Sequence, residues 1–538
     1  MVVVPAALAP GKKGIHMHAT HETVNLDTTT CPNKEERLGS INAYHGKVSE
    51  LFKENETGSL PVLKRRFKQT EVCLLMQAAN RIITVRDATV IVHGPIGCAS
   101  GLEGYQEIYK NIPESLGRPN FNFSWVSTNL SDKDVVYGGE AKLRAAIIES
   151  YKRYSPKAIF ILTTCTSGVM GDDVEGVVRS VRDEVPSTIV PIHCESFKST
   201  ICQTAFDAMA HAVVKYLIKP PEKKQKDLVA IPAPFSTTWS DRIELTRLLQ
   251  KLGLRPLFFP DFATVEELER LSEAAVIAPT CMSYGDYWQK AIHQKFGVPY
   301  FRHPMPVGIK NTAIWLRQIA KYTGKEKEVE ALIKEELEVL EPEMAKIREA
   351  LKGKDASILI AAGQPRATFT PRLAAELGIK VSAVHTLEVD SLMIEELKEI
   401  YNDIGDFDVH ASNWNPHELA HTDNKLQSSL NTVCPMMGLF RRSGGVVRNH
   451  SYRSDFSVQA NQMGFRGTIN YGYIMLRAVS NPSLCKRLNK HIKKPYQSWW
   501  FKGDNLEHFI NDNGERLTHG PGVSPARSHD HHTAAEKS

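Results

Sequence analysis

The 538-residue sequence lacks several features that mark common protein classes. No apolar run approaches the roughly 18 residues needed to span a membrane. There is no GxxxxGKS/T phosphate loop and no GxGxxG fingerprint, so the chain is predicted neither to hydrolyse nucleotides nor to bind a dinucleotide by the usual loops. Net charge is also small: 66 Lys and Arg against 61 Asp and Glu leave +5. These absences predict no membrane partner and no nucleic-acid partner.

Cysteine is scarce and scattered. The nine cysteines are odd in number and far apart, which argues against a disulfide scaffold. The apolar start, Met1–Pro10, precedes Lys12 and Lys13, the reverse of the order in a secretory signal. We therefore expect a cytoplasmic protein in which some thiols are kept for metals.

The remaining sequence alternates short apolar runs with helical stretches. The apolar runs are rich in β-branched residues and lie at 88–94, 158–165, 187–194, 227–234, 274–281, 357–363 and 381–386. Continuous apolar strands separated by helices predict parallel sheets covered on both faces. The expected fold class is α/β, with doubly wound parallel-sheet (Rossmann-like) domains.

Length and composition predict how the chain divides. We expect an N-terminal extended arm at 1–60, for which a disordered tail is the alternative, and α/β domains at 61–225, 226–350 and 351–485. A C-terminal extension at 486–538 is predicted to end in disorder because its last part has few apolar residues.

One long helix is predicted between two of these domains. Apolar residues recur at steps of three and four through 324–354, the pattern of an amphipathic helix. Pro342 lies inside this stretch, and a helix-interior proline removes a hydrogen bond, so a break or kink is expected after Leu340.

Several potential metal ligands fall at the predicted carboxyl ends of strands, where open parallel sheets bind ligands. These are His93, Cys165, Cys194 and Cys281. Cys98 follows a strand in a loop with three glycines and a proline. A single iron–sulfur cluster normally takes four thiolates, so Cys73, Cys98 and Cys165 would leave a cluster incomplete and require a second chain. The alternative for each cysteine is a small buried apolar residue.

Four segments carry a family resemblance. They are similar to the larger, cluster-holding subunits of nitrogenase and its relatives, in family order, and the resemblance runs from about residue 71 to 485. The segments are HGPIGCASG at 93–101, STNLSDKDVVYGGEAKL at 127–143, TTCTSGVMGDDVEGVV at 163–178 and PIHCESFKS at 191–199. This nitrogenase component 1 resemblance implies three α/β domains around a metal-cluster site.

The resemblance also implies ligands. Cys73, Cys98 and Cys165 resemble the cysteines that hold half of a bridging 8Fe-7S P-cluster, and Cys281 resembles the anchor of the nitrogenase-type iron–sulfur cofactor. Arg366, in AAGQPRATF, resembles a residue beside that cofactor and is a catalytic candidate as a donor to sulfide or a bound anion. Its alternative is a capping or pairing role on the surface.

The implied partners follow from the family. They are a homologous second subunit in a heterotetramer, an ATP-hydrolysing iron protein as electron donor, and a small-molecule substrate. The protein would hold the clusters and tune them by burial and hydrogen bonding.

Departures from nitrogenase narrow the expected activity. Met463 precedes GFRG where nitrogenase has a histidine ligand, and a thioether is a poor substitute on iron. His450 is a possible second ligand, with a structural role as its alternative. The segment at 194–198 also differs from nitrogenase's Gly-containing version.

The branch that the sequence resembles most is the nitrogenase-like one that includes methylthio-alkane reductase. PNKEERLGSINAY, at 32–44, and HCESFKS carry this resemblance. It implies reductive cleavage of carbon–sulfur bonds in small methyl thioethers. The alternatives are a cofactor-assembly scaffold, a non-catalytic partner subunit and a true nitrogenase subunit.

Overall fold

Parallel strands organise the molecule. The structure, a computed structural model, describes residues 24–61, 63–65, 73–109, 123–233, 237–302, 304–412, 415–433, 462–480, 487 and 509–510. The strands are β1 Ala43–Lys47, β2 Lys64–Arg65, β3 Ala88–His93, β4 Ser124–Ser127, β5 Ala158–Thr163, β6 Thr188–Ile192, β7 Gln225–Pro232, β8 Arg255–Phe259, β9 Ala274–Ile277, β10 Ser357–Ala361, β11 Lys380–Thr386, β12 Asp408–Ser412, β13 Leu430–Val433 and β14 Phe509–Ile510.

Helices fill the connections between strands. They are α1 Lys34–Leu38, α2 Val48–Glu56, α3 Leu74–Ile82, α4 Ile96–Ala99, α5 Gly101–Tyr109, α6 Asp132–Tyr137, α7 Glu140–Tyr154, α8 Cys165–Met170, α9 Val174–Ser180, α10 Thr204–Tyr216, α11 Trp239–Lys251, α12 Val265–Glu269, α13 Met282–Phe296, α14 Ile309–Thr323, α15 Glu326–Leu351, α16 Gln364–Glu376, α17 Ser391–Ile404, α18 Pro416–Leu426 and α19 Gly464–Ser480. No described helix combines the length and apolar character needed to cross a membrane.

Three large sheets contain most of the described strands, and β2 pairs antiparallel with β14 in a separate two-stranded sheet. The first has the order β4-β3-β5-β6 and the second the order β8-β7-β9, and the strand pairs in both are parallel. The third has the order β1-β12-β11-β10-β13, with only β1 antiparallel to its neighbour. Strand β5 is buried at every position, as a strand covered on both faces must be. The predicted α/β class with parallel sheets is confirmed.

The second sheet contributes to two cores. Val229 and Ile231 pack in the core that also contains residues of β10 in the third sheet. Leu228 and Ala230, which alternate with those two residues along β7, pack in the core that contains residues of β3 in the first sheet. Because successive side chains of a strand point to opposite faces, this one strand joins both cores.

The N-terminal segment is built into the third sheet. Strand β1 pairs antiparallel with β12 in the register His45 to His410. Helix α2 packs against α17 of the same unit. The domain limits near 60, 225 and 350 stay predictions, and the predicted disorder at 513–538 lies outside the described residues.

Helix α15 corrects one expectation. It runs without a break from Glu326 to Leu351, through Pro342, so the break predicted after Leu340 is wrong. Pro342 and Glu338, whose carbonyl loses its donor, both face solvent. Water can therefore satisfy the freed carbonyl while the apolar face of the helix stays packed.

Candidate metal-cluster site

Three of the predicted thiol ligands lie at the starts of helices around one edge of the first sheet. Cys73 caps the N-terminus of α3, Cys98 lies in α4, and Cys165 is the first residue of α8. Strands β3 and β5 are parallel neighbours that end together, at His93 and Thr163, so the loops carrying Cys98 and Cys165 meet. We call Cys73, Cys98 and Cys165 the thiol triad.

Electrostatics shows that the triad members are neighbours. Burial raises the pKa of the Cys98 thiol, and negative charge on Cys73 or Cys165 would raise it further. The three thiols therefore lie close together, as ligands of one metal cluster must.

A glycine allows this close approach. A Cβ on Gly94, after β3, would lie 2.3 Å from Thr164 Cγ2, immediately before Cys165. The Thr164 hydroxyl donates to the His93 carbonyl at 3.0 Å. Only a residue without a side chain lets the two cysteine loops pack this closely.

The triad opens to the outside of this chain. Cys165 is exposed, and Cys73 and Cys98 are half-buried. Exposed apolar side chains lie on α4 and α8, on α6, which contacts α8, and in the short turn at 196–198. With their exposed fractions, these side chains are Ile96 55%, Val135 49%, Val136 74%, Tyr137 80%, Val169 76% and Phe197 55%. We call these six residues the apolar rim; a patch of this kind is typical of a protein interface.

Polar groups support the triad from behind. The Ser196 hydroxyl donates to Cys73 Sγ at 3.0 Å and accepts the Leu74 N–H at 2.9 Å. Burial alone would raise the pKa of Glu195, but hydrogen bonding to His193 and the Lys198 charge lower it to about 2. Such hydrogen bonds orient a ligand and tune its metal.

Cys281 occupies a different environment, deep inside the chain. It is 6% exposed and caps the N-terminus of α13. Burial raises the pKa of its thiol to about 12, although the backbone N–H groups of Tyr284 and Ser283 hydrogen-bond to the sulfur and lower it. The thiol is thus protonated by itself, and a metal would have to displace that proton.

The third sheet closes over Cys281. The Ser283 hydroxyl donates to Gln364 Oε1, at the start of α16 after β10, and lies 3.4 Å from Glu388 Oε1, just after β11. Burial raises the pKa of Glu388 and of Asp390. The carboxyl ends of two parallel strands therefore face the cysteine helix, the usual place for a ligand in open sheets.

Arg366 is buried and paired. Its Nη2 lies 3.0 Å from Asp241 Oδ2, and its Nη1 donates to Gln462 Oε1. Asp241 Oδ1 also accepts the backbone N–H groups of Gln462 and Met463, at 2.8 and 2.9 Å. The alternative, that Arg366 caps or pairs on the surface, is wrong, because Arg366 is only 3% exposed. Its role toward a bound anion stays a prediction.

Met463 lies in the hydrophobic core. It is fully buried in the cluster that includes Met305 and Val307, and its backbone forms a bridge with Val307. The following Gly464 has φ +75°, and a Cβ there would lie 2.4 Å from Glu244 Cγ. Packing therefore accounts for Met463, while His450 lies outside the described residues.

The donor set fits clusters rather than a single ion. Within the described ranges, no three His, Cys, Asp or Glu side chains converge closely enough to hold one metal ion. The ligands of a polynuclear cluster are spread over several irons and need no such convergence. Three thiols on an open face fit a cluster that a second chain completes, and the single buried thiol fits an anchor at one end of a cofactor.

Sequence reasoning missed the buried charges around Cys281. They include Lys34 and Arg37 from α1, Asp207 from α10 and Asp286 from α13. A partial signal was present: Asp286 and Lys290 are four residues apart on α13 and form an ion pair at 3.0 Å.

A histidine row was also missed. His45, His410 and His385 lie at one register on three neighbouring strands of the third sheet. His410 Nε2 lies 2.9 Å from Glu418 Oε2, and its Nδ1 lies 3.2 Å from His45 Nδ1. No local pattern announces this row, because the three strands are far apart in sequence.

Comparison with known proteins places the chain. A family model described as nitrogenase component 1 type oxidoreductase matches residues 73–424. The chain belongs to this family. The match includes the thiol triad, Cys281 and Arg366, so the chain is a nitrogenase-like component 1 subunit of an oxidoreductase family.

Similar curated proteins fall into two groups by name. A nitrogenase iron-molybdenum cofactor biosynthesis protein NifE of Methanococcus maripaludis is 27% identical over 60% of this chain and 68% of its own. A NifE of Methanosarcina barkeri is 27% identical over 83% and 98%. A nitrogenase molybdenum-iron protein alpha chain of Methanothermobacter thermautotrophicus is 27% identical over 77% and 88%.

A solved structure shares the fold. The structure described as nitrogenase Cp1 at pH 6.5 has a TM-score of 0.63, covers 81% of this chain and 94% of its own, and is 19% identical. At that identity the likeness concerns the fold alone. It confirms the predicted nitrogenase component 1 architecture for this component 1 chain.

Proposed function

We propose that the chain is the cluster-binding catalytic subunit of a nitrogenase-like reductase that cleaves carbon–sulfur bonds of small methyl thioethers, a methylthio-alkane reductase. One observation carries the proposal: the same chain combines a solvent-accessible thiol triad, with Cys165 exposed and Cys73 and Cys98 half-buried, with a separate buried thiol, Cys281. Two such sites suit one cluster that receives electrons and a second that transfers them to the substrate.

The residues divide between two groups. Cys73, Cys98 and Cys165 would hold half of a bridging P-cluster, and Cys281 would anchor the nitrogenase-type cofactor. When bound, these groups supply stored electrons for a two-electron reduction. An ATP-hydrolysing iron protein is the proposed electron donor.

The chain's own groups position and protect these centres. The Ser196 hydroxyl donates to Cys73 Sγ, and the backbone N–H groups of Ser283 and Tyr284 face Cys281. Burial raises the pKa of Glu388, whose Oε1 lies 3.4 Å from Ser283 Oγ. Asp241 holds Arg366 in place, which leaves that guanidinium a donor at a fixed position.

The apolar rim supports a homologous second subunit as partner. Tyr137, Val169 and Val136 are each more than 70% exposed. Covering them with a second chain would bury apolar surface and, at the same time, complete the ligand set of the triad. Two such pairs would form the proposed heterotetramer.

The region around Met463 favours a substrate other than N₂. The methionine that replaces nitrogenase's histidine is packed in the core and makes its backbone contacts to Val307 and Asp241. A cofactor anchored by Cys281 alone would be held differently from that of nitrogenase. Small methyl thioethers match the branch that residues 32–44 resemble.

A cofactor-assembly protein is the second candidate. Two relatives named as cofactor biosynthesis proteins, NifE, support it, and so does the packed Met463, because a cluster held at one end can leave. Turnover separates the two functions. A scaffold carries a cluster but reduces nothing when supplied with iron protein and ATP.

The test is anaerobic purification of this chain with its natural partner. Iron per chain pair is measured first, and then ethylene from 2-(methylthio)ethanol and ammonia from N₂, with iron protein and ATP supplied. The matched control is the same pair with Cys281→Ala, which should retain only bridging-cluster iron.

Two clusters' worth of iron with ethylene and no ammonia is the expected result. Ammonia would instead identify a nitrogenase. Full iron without any product would favour the assembly protein. Bridging-cluster iron alone in the wild-type pair would indicate that the chain is a non-catalytic partner subunit.

A further inference from the structure

Lys34 is a buried cation without a hydrogen bond. It opens α1, its side chain is 0% exposed, and its Nζ has no hydrogen-bond acceptor among the described residues. Asp207 Oδ1 is 3.7 Å away, beyond hydrogen-bond distance. An ammonium taken out of water without an acceptor is costly, so a native protein that keeps one normally supplies a partner.

The neighbouring carboxylates already have partners of their own. Arg37 donates to Asp207 Oδ2 through Nε at 3.2 Å and Nη2 at 2.8 Å. Arg37 also donates to Asp286 Oδ2, and Lys290 lies 3.0 Å from Asp286 Oδ1. Each carboxylate thus has a cation at hydrogen-bond distance, whereas Lys34 reaches Asp207 Oδ1 only as an ion pair at 3.7 Å.

The acids on the other side do not supply the missing hydrogen bond. Burial raises the pKa of Glu388 and Asp390 despite the lowering effect of Lys34. Their Oε2 and Oδ2 atoms, in turn, have no hydrogen-bond partner within the described part of the chain. The Lys34 ammonium and these carboxyl oxygens are therefore buried without hydrogen bonds to one another.

Lys34 acts on the same place as Cys281. Lys34 pairs with Asp207, Asp207 with Arg37, and Arg37 with Asp286 on α13, the helix whose N-cap residue is Cys281. Ser283 links that region to the third sheet through Gln364. A buried cation therefore lies in the same region as the thiol that is proposed to anchor the cofactor.

We propose that Lys34 is the anion-anchoring residue of the Cys281 site, its ammonium binding a negatively charged group of whatever Cys281 holds. The inference rests on the proposed function for the identity of that group and deepens it: the cofactor is held between a sulfur ligand and an ammonium donated by the N-terminal segment. Two anions have the required chemistry, namely the sulfide face of the cluster and a carboxylate of an organic ligand on it.

Lys34→Met tests the proposal, because methionine keeps the apolar length of the side chain and removes the charge. Lys34→Arg keeps the charge. Lys290→Met is the matched control, since Lys290 is a buried lysine of the same region that does pair at 3.0 Å. Each variant is prepared as the full chain with its partner, in hosts with and without cofactor assembly.

The metal-free form separates the two lysines by the size of the effect. Lys34→Met removes a buried charge that makes no hydrogen bond and one ion pair at 3.7 Å, so its unfolding midpoint should fall less than that of Lys290→Met. Lys290→Met loses an ion pair at 3.0 Å and leaves Asp286 short of a partner. A drop for Lys34→Met as large as that for Lys290→Met would overturn the inference.

The loaded form tests the anion directly. Cofactor occupancy, measured as iron beyond the bridging cluster, should fall about tenfold or more in Lys34→Met, as expected for one lost charged contact, and recover partly in Lys34→Arg. Unchanged occupancy together with an unchanged acid-released organic fraction would overturn the inference.

Mass spectrometry of acid-released small molecules separates the two anions. Loss of an organic acid with the iron retained identifies a carboxylate, and loss of the iron itself identifies the sulfide face. If the wild-type pair carries no iron beyond the bridging cluster, the proposed function fails; the unfolding midpoints then still decide the role of Lys34.

Discussion

The thiol triad and Cys281 use one local device at two depths. At Cys98, Cys165 and Cys281 a parallel strand ends, a loop follows, and the cysteine lies at or near the start of a helix, while Cys73 directly precedes helix α3. Cys165 is exposed, whereas Cys281 is 6% exposed between the second and third sheets. Both kinds of site thus place a thiol near the start of a helix, but the depth of its burial decides whether a second chain or the same chain encloses it.

The surroundings differ in the same sense. The triad is bordered by the apolar rim, whose side chains can be covered by a partner. Cys281 is bordered by buried ionisable groups, including Lys34 and Glu388, that solvent does not screen. Ionisable groups buried in the interior have larger energetic effects than exposed apolar surface, so we expect the sharpest losses at the buried site.

Cys281→Ala should have the largest effect. Without its anchor the cofactor should be lost and product formation should fall about a thousandfold or more, because the reduction depends on the metal centre. Bridging-cluster iron should remain. Iron analysis and an ethylene assay measure both, with Cys202→Ala, a buried thiol elsewhere, as control. Full iron in Cys281→Ala would refute the anchor.

Cys165→Ala should produce the complementary loss. The bridging cluster should be depleted, and turnover should fall about a hundredfold, because electrons no longer pass through that cluster although the cofactor that receives them is still present. Thermal stability of the metal-free chain should hardly change, since Cys165 is exposed. A variant that keeps its bridging-cluster signal in electron paramagnetic resonance would show that this thiol is not a ligand.

The polar support behind the triad should be sensitive to pH. Burial alone would lower the pKa of His193, but hydrogen bonds to Glu175 and Glu195 raise it to about 9. A raised histidine pKa stabilises the fold fully below the unfolded value of about 6.5, and this contribution is lost as pH rises through 9.

We expect a loss of about 2 kcal/mol between pH 6.5 and 9, from the size of that shift and partial exposure. Denaturant unfolding of the metal-free chain measures it. His193→Gln should flatten this part of the profile. A wild-type profile that is already flat there would contradict the ion pair.

The apolar rim should give the smallest of these effects. Val136→Glu combined with Tyr137→Glu should weaken association with the second subunit about tenfold, because charge replaces apolar surface at a covered face. The folded chain itself should be unaffected, as both side chains are more than 70% exposed.

Val339→Glu is the control for the rim, because Val339 is 69% exposed on α15, away from the triad. Size-exclusion chromatography of the pair measures association. If the rim and Val339 substitutions weaken association equally, the apolar rim is not part of the interface.

Local patterns in the sequence were sufficient for the framework of both sites. Apolar β-branched runs identified strands such as β5 and β7, and cysteines just after such runs marked the sheet edges. Gly94 was recognised as a turn residue, although its closer reason is the 2.3 Å approach to Thr164. Pro342 led to the wrong prediction of a helix break, because its exposure cannot be inferred from a helical pattern alone.

The sequence by itself determined the α/β class, seven of the strands and the placement of Cys165 and Cys281 at strand ends, because these depend on periodicity and neighbouring residues. Only the tertiary structure decided that Lys34 lies near Cys281, that Arg366 is paired with Asp241, and that Met463 packs in the core. These partners are separated by more than a hundred positions. Burial and charge depend on such distant contacts, which no local pattern records.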